Sequence, residues 1–314
     1  MTQNITIKPY QPGTGLDEEL AGLGYSVMCG WPDQRPVTPS LVRSRLRPIG
    51  DGPPTRLVLA RDQHDQLIGA AALRHPAARG APARLWGPVV AQDQQRRGLG
   101  TRLLKEATAL WSPSMPVLTA EIPATRAHGG ALYERANWNV HSEAVLMKGP
   151  AAAPSPRPVF GVVVRPACKS DAGALSHLYE TVRPGQSLAV AAGTWNRWCA
   201  DERFVPDGLL VCVPAGKGDL LAAALAYPLA HSTPDEPPEV LIADVLIRPG
   251  PGRASVAGPL IRAAIASGVQ HGAHVIRAIV PEADQLLIDD LSAAGLTPVE
   301  TIRYYQAPMA RSTM

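Results

Sequence analysis

The sequence has no long apolar run, little net charge and few cysteines. No apolar run reaches the roughly 18 residues of a membrane-spanning helix, and residues 1–7 show no basic region before an apolar core, so we expect neither an anchor nor a signal peptide. A net charge of +3 over 314 residues does not favour binding to nucleic acid or to an anionic membrane. The 4 cysteines show no paired spacing and no cluster with histidine, so we expect a cytoplasmic protein with reduced thiols and no metal.

What remains is the composition of a globular protein, with 46% apolar and 18% charged residues. The length suits about two domains. The segment 149–158, Gly-Pro-Ala-Ala-Ala-Pro-Ser-Pro-Arg-Pro, has the composition of an extended spacer. We therefore predict a first domain over residues 1–148, a linker over 149–158 and a second domain over 159–314.

The two parts of the chain repeat one plan. Each opens with a short strand ending in proline, continues with a helix (residues 17–29 and 171–182) and adds two strands (57–60 and 67–73; 209–212 and 220–225). The later part of the repeat aligns without gaps at an offset of 158 residues, which places Asn137 on Gly295. Both residue types suit the left-handed position that ends a helix. The pattern predicts two copies of one α/β fold.

Residues 95–100, Gln-Arg-Arg-Gly-Leu-Gly, form the most informative stretch, between a predicted strand (85–90) and a predicted helix (101–107). Such a loop is typical of a phosphate site, because its amides and the helix N-terminus point at one spot and Gly98 and Gly100 lack Cβ atoms. A P-loop is excluded by the residues after Gly98, and a dinucleotide fingerprint by the missing third glycine. A tight turn with nothing bound is the alternative.

The loop resembles the acyl-CoA loop, Gln/Arg-x-x-Gly-x-Gly/Ala, of the Gcn5-related N-acetyltransferase (GNAT) family. Residues 132–138, Leu-Tyr-Glu-Arg-Ala-Asn-Trp, are similar to the family's Leu-Tyr-x-x-x-Gly-Phe. The resemblance implies an α/β (α+β) protein of two tandem GNAT domains, each a mixed, splayed central sheet flanked by helices. It implies acetyl-CoA as co-substrate, bound by Gln95, Arg96, Arg97, Gly98, Leu99, Gly100 and Thr101. The main chain of Val89 and Val90 would hold the pantetheine arm and polarise the acetyl carbonyl.

Two side chains are the predicted catalytic groups. The resemblance implies that Tyr133 protonates the departing CoA thiolate, a role that suits a phenol; a packing role is the alternative. Glu121 has the spacing of a general base in some family members and would take the proton of the acceptor ammonium, unless it merely faces solvent. Arg126 stands where the family often has Asn on the cofactor, and either contacts a CoA phosphate or is exposed. His128 is another candidate base.

The second copy loses the chemical positions. The counterparts of Gly98, Glu121 and Tyr133 are Val256, Ile279 and Leu291. Arg253 and Gly258 replace the ends of the loop, so we expect its frame to persist. We therefore predict one catalytic domain and one degenerate, non-catalytic domain that completes the acceptor cleft or stands in for a dimer partner. The protein would be a monomer resembling a dimer, or a homodimer.

The resemblance implies direct transfer of the acetyl group to a primary amine in a ternary complex. Residues 11–50 would form the acceptor wall, and their acidic and aromatic side chains suit a cationic small amine such as an amino sugar, an antibiotic or an amino-acid derivative: Asp17, Glu18, Glu19, Trp31 and Asp33. The acidic residues would equally suit a helix N-terminus. Two alternatives stay open, a non-catalytic CoA-sensing or scaffold protein and an acetyltransferase of protein N-termini.

Overall fold

A computed structural model describes residues 4–28, 37–46, 53–75, 82–112, 115, 117–152, 161–184, 193–199, 204–216, 218–229 and 237–308. Within these ranges, no helix is both long and apolar enough to cross a membrane. The described residues form two compact units. The first unit contains those up to Ser142 and those from Ile302 onward, and the second contains those from Glu143 to Thr301.

The first unit has a mixed sheet with helices on both faces. Its strands are β1 (Asn4–Pro9), β2 (Arg56–Arg61), β3 (Leu67–Arg74), β4 (Ala83–Val90), β5 (Leu118–Pro123) and, from residue 302, β12 (Thr297–Gln306). Its helices are α1 (Leu16–Met28), α2 (Pro39–Leu46), α3 (Leu99–Ala109) and α4 (Ala127–Arg135). Strands β1 to β4 pair antiparallel in chain order, β4 pairs parallel with β5, and β5 pairs antiparallel with β12.

Two apolar clusters hold this sheet between its helices. Successive strand residues point to opposite faces, so Val58 and Ala60 pack with α3 and α4 while Leu57 and Leu59 pack with α1 and α2. Because both faces are covered, β2 and β3 are continuous apolar runs rather than alternating ones. In α3, buried positions 99, 103, 104 and 107 recur at helical spacing and face the sheet.

The second unit repeats this arrangement. Its strands are β6 (Asn139–Pro150, from residue 143), β7 (Val162–Pro166), β8 (Leu209–Pro214), β9 (Ala222–Leu229), β10 (Glu239–Ile247) and β11 (Val275–Pro281). Its helices are α5 (Ala172–Val182), α6 (Thr194–Cys199), α7 (Arg253–Gln270) and α8 (Gln285–Ala293). Strands β7 to β10 pair antiparallel in chain order, β10 pairs parallel with β11, and β11 pairs antiparallel with β6.

Each unit takes its last strand from the other copy of the repeat. The strand after α4 is β6, which pairs with β11, and the strand after α8 is β12, which pairs with β5. The two registers agree at the offset of 158 residues, because Glu121 lies opposite Tyr304 and Ile279 lies opposite Leu146. The predicted linker begins inside β6, which extends to Pro150, and residues 153–160 lie outside the described residues.

Helices α4 and α8 end in the same way, as the aligned Asn137 and Gly295 predict. Both residues have left-handed backbones, with φ of 61° and 95°. The Trp138 amide donates to the Tyr133 carbonyl over 3.0 Å, and the corresponding bond in α8 joins residues 296 and 291 over 3.1 Å. These bonds define a Schellman motif, which satisfies the last carbonyls of each helix. The prediction for the helix ends is confirmed.

Candidate functional site

Strands β4 and β5 separate part way along their length. Their parallel register runs from Ala83–Leu118 to Leu85–Ala120 and ends there, although β4 continues to Val90. A β-bulge in β4 accompanies the separation, and Gly87 within it has a φ of 76°, which glycine adopts freely. From residue 86 to residue 90, the edge of β4 towards β5 therefore borders a gap and has no strand partner within the described residues.

The predicted loop leads into α3 through an exposed glycine. Gly98 is the N-cap residue, with φ 83° and ψ −4°, and a Cβ atom there would have no neighbour within 4 Å. No side chain caps the helix, and the amides of Leu99, Gly100 and Thr101 donate to no described residue. Free amides and the partial positive charge of a helix N-terminus suit a bound phosphate.

The loop is tied to the end of β4. The side-chain amide of Gln95 donates to the Val90 carbonyl over 3.0 Å. Leu99 is buried in the core, so only its main chain is available to a ligand. The structure thus brings the predicted cofactor residues together: Arg96, Arg97 and Thr101 are exposed, Gly100 lies against Val90 and Leu132, and Val89 is half-buried.

Arg126 lies at the same end of the sheet as the loop. It is the half-buried N-cap residue of α4, and its amide donates to the Pro123 carbonyl over 2.9 Å. Because β4 and β5 are parallel, Val90 and Pro123 end their strands at one edge. His128 is exposed in the first turn of α4.

Tyr133 is 1% exposed, and its hydroxyl donates to the Gly87 carbonyl on the edge of β4. Its ring lies 5.3 Å from that of Tyr305, stacked, and 5.0 Å from that of Trp138. Burial, and secondarily the Glu121 carboxylate, hold the pKa of Tyr133 above its ordinary value. The phenol is therefore a protonated hydrogen-bond donor beside the gap.

Glu121 lies on β5 just beyond the last residue that pairs with β4. Its Oε1 atom is 3.5 Å from a guanidinium nitrogen of Arg45, and both side chains are about half exposed. Burial, with a smaller contribution from Glu121, raises the pKa of the neighbouring Tyr304 to about 12. Because its side chain is about half exposed, Glu121 is accessible to solvent.

The predicted acceptor wall needs one correction. Asp17 is fully buried and accepts hydrogen bonds from the Tyr10 hydroxyl (2.7 Å) and the Gly13 amide (2.9 Å). It therefore fixes the turn before α1, and its prediction as a wall residue is wrong. Glu18 is exposed, and Glu19 pairs with Arg61. Trp31 and Asp33 lie outside the described residues.

Five residues of this region were not predicted from the sequence: Arg45, Gly87, Arg84, Tyr304 and Tyr305. A glycine inside a strand pattern indicates a bulge, so the bulge at Gly87 could have been predicted from the sequence. The two tyrosines were not, because periodicity predicts the strand β12 without indicating which strand it pairs with.

The described residues of the second unit contain no corresponding loop. Helix α7 begins at Arg253, so residues 253–256, the counterparts of 95–98, form its first turn. Val256 is 4% exposed and packs in the core, and Pro259, at the counterpart of Thr101, has no N–H group. The prediction that the loop's frame persists here is wrong, because a buried valine draws this segment into the helix.

The second unit also differs from the first where its strands separate and at the counterparts of Tyr133 and Tyr305. Strands β10 and β11 separate after Ile242–Ala278, but Asp244 just beyond this point forms an ion pair with Arg183 at 2.5 Å. Leu291 and Met147, the counterparts of Tyr133 and Tyr305, are both buried in one apolar cluster. Within the described residues, this region keeps the packing of the first unit without its phenol.

Comparison with known proteins matches residues 25–135 to the model of the acetyltransferase (GNAT) family. No curated protein sequence matches the chain significantly. Among solved structures, the chain is similar to a GCN5-related N-acetyltransferase from Sphaerobacter thermophilus, with a TM-score of 0.76 and 17% identity over 96% of this chain and 95% of that one.

Two further likenesses extend over nearly all of the chain. A tandem GNAT protein from the clavulanic acid biosynthesis pathway gives a TM-score of 0.73 and 15% identity over 98% of this chain and 100% of the other. A glucosamine N-acetyltransferase region in a fungal multi-domain GH3 beta-N-acetylglucosaminidase gives a TM-score of 0.75 and 14% identity. The match covers 98% of this chain and 38% of that one.

These likenesses confirm the predicted fold class, a mixed sheet flanked by helices and present twice. The family match supports acyl-CoA-dependent N-acetyl transfer in general. The chain is therefore a tandem-domain protein of the GNAT fold, and residues 25–135 of its first unit match the acetyltransferase (GNAT) family model.

Proposed function

We propose that the first unit transfers an acetyl group from acetyl-CoA to a primary amine of a small molecule, and that the second unit is not catalytic. The observation that carries this proposal is the exposed loop at Gly98, with three free amides behind it, at the same end of the sheet as the gap between β4 and β5. The loop suits a pyrophosphate, and the unpaired edge of β4 suits a pantetheine arm.

In the proposed reaction the acceptor amine attacks the thioester carbonyl directly. Glu121 takes a proton from the acceptor ammonium, so that the nitrogen lone pair becomes free. Main-chain amides on the edge of β4 polarise the carbonyl oxygen. The new C–N bond forms, the C–S bond breaks, and the sulfur leaves as a thiolate towards the hydroxyl of Tyr133. The nitrogen gives up its second proton, which passes through solvent to the thiolate. Since the pKa of that phenol is raised, it acts first as a hydrogen-bond donor to the thiolate.

In this proposal Tyr133 keeps its proton and does not transfer it to the thiolate. The pKa values of the two groups favour this. A free thiol has a pKa near 8.5, below that of the buried phenol, so complete transfer from phenol to thiolate is uphill. In the structure this hydroxyl donates to the Gly87 carbonyl on the edge of β4, and in the reaction it would turn from that carbonyl to the thiolate. Positioning and main-chain polarisation would therefore supply most of the rate.

Calorimetric titration with CoA should show one site per chain, and acetyl-CoA should release thiol when primary amines are added. Two CoA sites would contradict the non-catalytic assignment of the second unit. Tight CoA binding without thiol release, across a panel of small amines and N-terminal peptides, would contradict the transferase and favour a CoA sensor. Faster release with peptides than with small amines would indicate a protein N-terminal acetyltransferase.

We expect Tyr133→Phe to lower kcat roughly 10- to 100-fold, because the thiolate loses a charged hydrogen bond, while CoA affinity stays unchanged. The raised pKa keeps the phenol protonated at least to its ordinary value of about 10. Wild-type kcat should therefore not fall through ionisation of Tyr133 as the pH rises to about 10. Steady-state kinetics of both proteins between about pH 6 and 10 measure the loss of kcat in the variant and the pH dependence of kcat in wild type.

Tyr305→Phe is the matched control. It preserves the stacked ring and removes only the hydroxyl, which donates to Glu134 over 3.0 Å. Its kcat should stay near the wild-type value. An unchanged kcat in Tyr133→Phe would mean that Tyr133 only packs α4 against the sheet.

A further inference from the structure

Arg84, Glu121 and Tyr304 lie on one face of the first unit's sheet. Arg45 of helix α2 reaches Glu121 from above this face. Arg84 is in register with Thr119, two residues before Glu121 on the same strand, and Tyr304 lies directly opposite Glu121. Side chains two residues apart on a strand share a face, as do those of directly opposed residues. The residues that alternate with them are buried against α3 and α4, so this group faces the side of α1 and α2. Arg45, in the last turn of α2, reaches Glu121 on that side.

The charges of this acceptor-side cluster (Arg45, Arg84, Glu121 and Tyr304) do not cancel. Arg45 pairs with Glu121, whereas the exposed guanidinium of Arg84 forms no hydrogen bond or ion pair with any residue that the structure describes. Tyr304 is a neutral donor at physiological pH, because its pKa is raised to about 12. Within this cluster, two arginines and one glutamate leave positive charge in excess, which suits an anionic group on a ligand.

The Arg45–Glu121 pair is able to open at small cost. Its atoms are 3.5 Å apart, and the two side chains are 58% and 44% exposed. Exposed pairs of this kind contribute little to stability, because water and side-chain entropy offset most of the attraction. A ligand that offers each partner a better counter-charge therefore displaces the pair.

We propose that the acceptor is an amine with a carboxylate beside it, as in an α-amino acid; this rests on the proposed acetyl transfer at the same site. The acceptor ammonium replaces Arg45 at Glu121, and the carboxylate binds Arg84 and the freed Arg45, with the Tyr304 hydroxyl as a further donor. An α-amino acid separates its two charges by one carbon, so both meet the cluster together. An acceptor with positive charge alone adds to an existing positive charge and leaves Arg84 unpaired.

The same exchange explains product release. Glu121 takes one proton from the ammonium, and the nitrogen gives up a second one, which passes through solvent to the thiolate, as its bond to the acetyl carbon forms. The product keeps a carboxylate but no ammonium. Once its proton has passed to solvent, Glu121 is negatively charged again. The ligand no longer carries an ammonium group to pair with it. Arg45 then pairs with Glu121 again and gives up the product carboxylate.

The experiment compares α-amino acids with their own carboxamides, which keep the amine and remove the anionic charge. We expect kcat/KM to be roughly 10- to 100-fold lower for each productive amino acid's carboxamide, as for the loss of a charged hydrogen bond. Arg84→Gln should lower kcat/KM for the acid by a similar factor without changing that for the amide or the KM of acetyl-CoA. Arg135→Gln, which removes an equal charge from an exposed position on α4, is the control and should preserve the preference for acids.

A binding measurement separates this proposal from the proposed function. Amino acids are titrated by calorimetry into enzyme saturated with CoA, in wild type and in Arg84→Gln. Binding of acids but not of carboxamides, lost in Arg84→Gln, supports the acceptor class even if no thiol is released. Equal use or binding of acids and carboxamides overturns it while leaving the transferase intact. No binding and no turnover with any acid also overturns it.

Discussion

Gly98→Val should abolish detectable CoA binding, a loss of at least about 100-fold. The residue has a φ of 83°, a conformation that costs a non-glycine residue roughly 1–2 kcal/mol and that a β-branched one rarely adopts. A Cβ atom at this position meets no protein atom, so a valine side chain would stand in the open space before the free amides. The substitution therefore blocks the ligand and misdirects the amides together, with only a small fall in stability. Calorimetry with CoA and a thermal melt measure the two effects.

Gly252→Val provides the matched control in the second unit. Gly252 is the N-cap residue of α7, with an ordinary φ of −83° and no atom within 4 Å of an added Cβ. CoA affinity should be unchanged there. Retained affinity in Gly98→Val would mean that the loop is only a turn, and weakened affinity in Gly252→Val would mean that the second unit binds CoA.

Local signals in the sequence were sufficient for the loop and the helix ends. Gly98 and Asn137 require left-handed backbones, and each sits where a strand, helix or turn pattern changes, so residue type and position both indicate the structure. The apolar runs of β2 and β3 predict buried strands because both faces are covered. These features depend on neighbours along the chain.

The exchange of last strands depends on partners far along the chain, and the sequence carries no signal for it. Residues 302–306 and 144–150 both read as strands, and in an internal repeat either one fits either sheet. The exchange nevertheless decides the chemistry of the site, since it places Tyr304 opposite Glu121 and Tyr305 against Tyr133. A prediction made from the first half alone misses both residues.

In the second unit a buried valine stands at the position of the loop glycine, and the fold is kept. Val256 gains burial within the core, which favours a helix that begins one turn early and uses the amides that a loop would leave free. An ion pair between Arg183 and Asp244 lies where the strands separate. The architecture survives because the packing positions are kept.

Glu121→Gln should lower kcat roughly 100- to 10,000-fold at neutral pH, the range expected for loss of a general base. Glutamine keeps the size of the side chain and a hydrogen-bond acceptor but cannot take a proton from the acceptor ammonium. CoA affinity should stay the same, since Glu121 lies on β5 rather than in the loop. Steady-state kinetics with the best acceptor, together with CoA titration, test both statements.

The pH dependence separates a base from a structural glutamate. In the variant only solvent deprotonates the ammonium, so kcat/KM should rise tenfold per pH unit up to the pKa of the acceptor amine, and the deficit relative to wild type should shrink. Glu106→Gln is the control, because Glu106 is a half-buried glutamate on α3 of the first unit and has no role in the proposed reaction. Its kinetics should match those of wild type. A constant deficit at every pH would mean that Glu121 acts through its ion pair with Arg45 rather than by accepting a proton. A similar loss in Glu106→Gln would mean that the effect is not specific to Glu121.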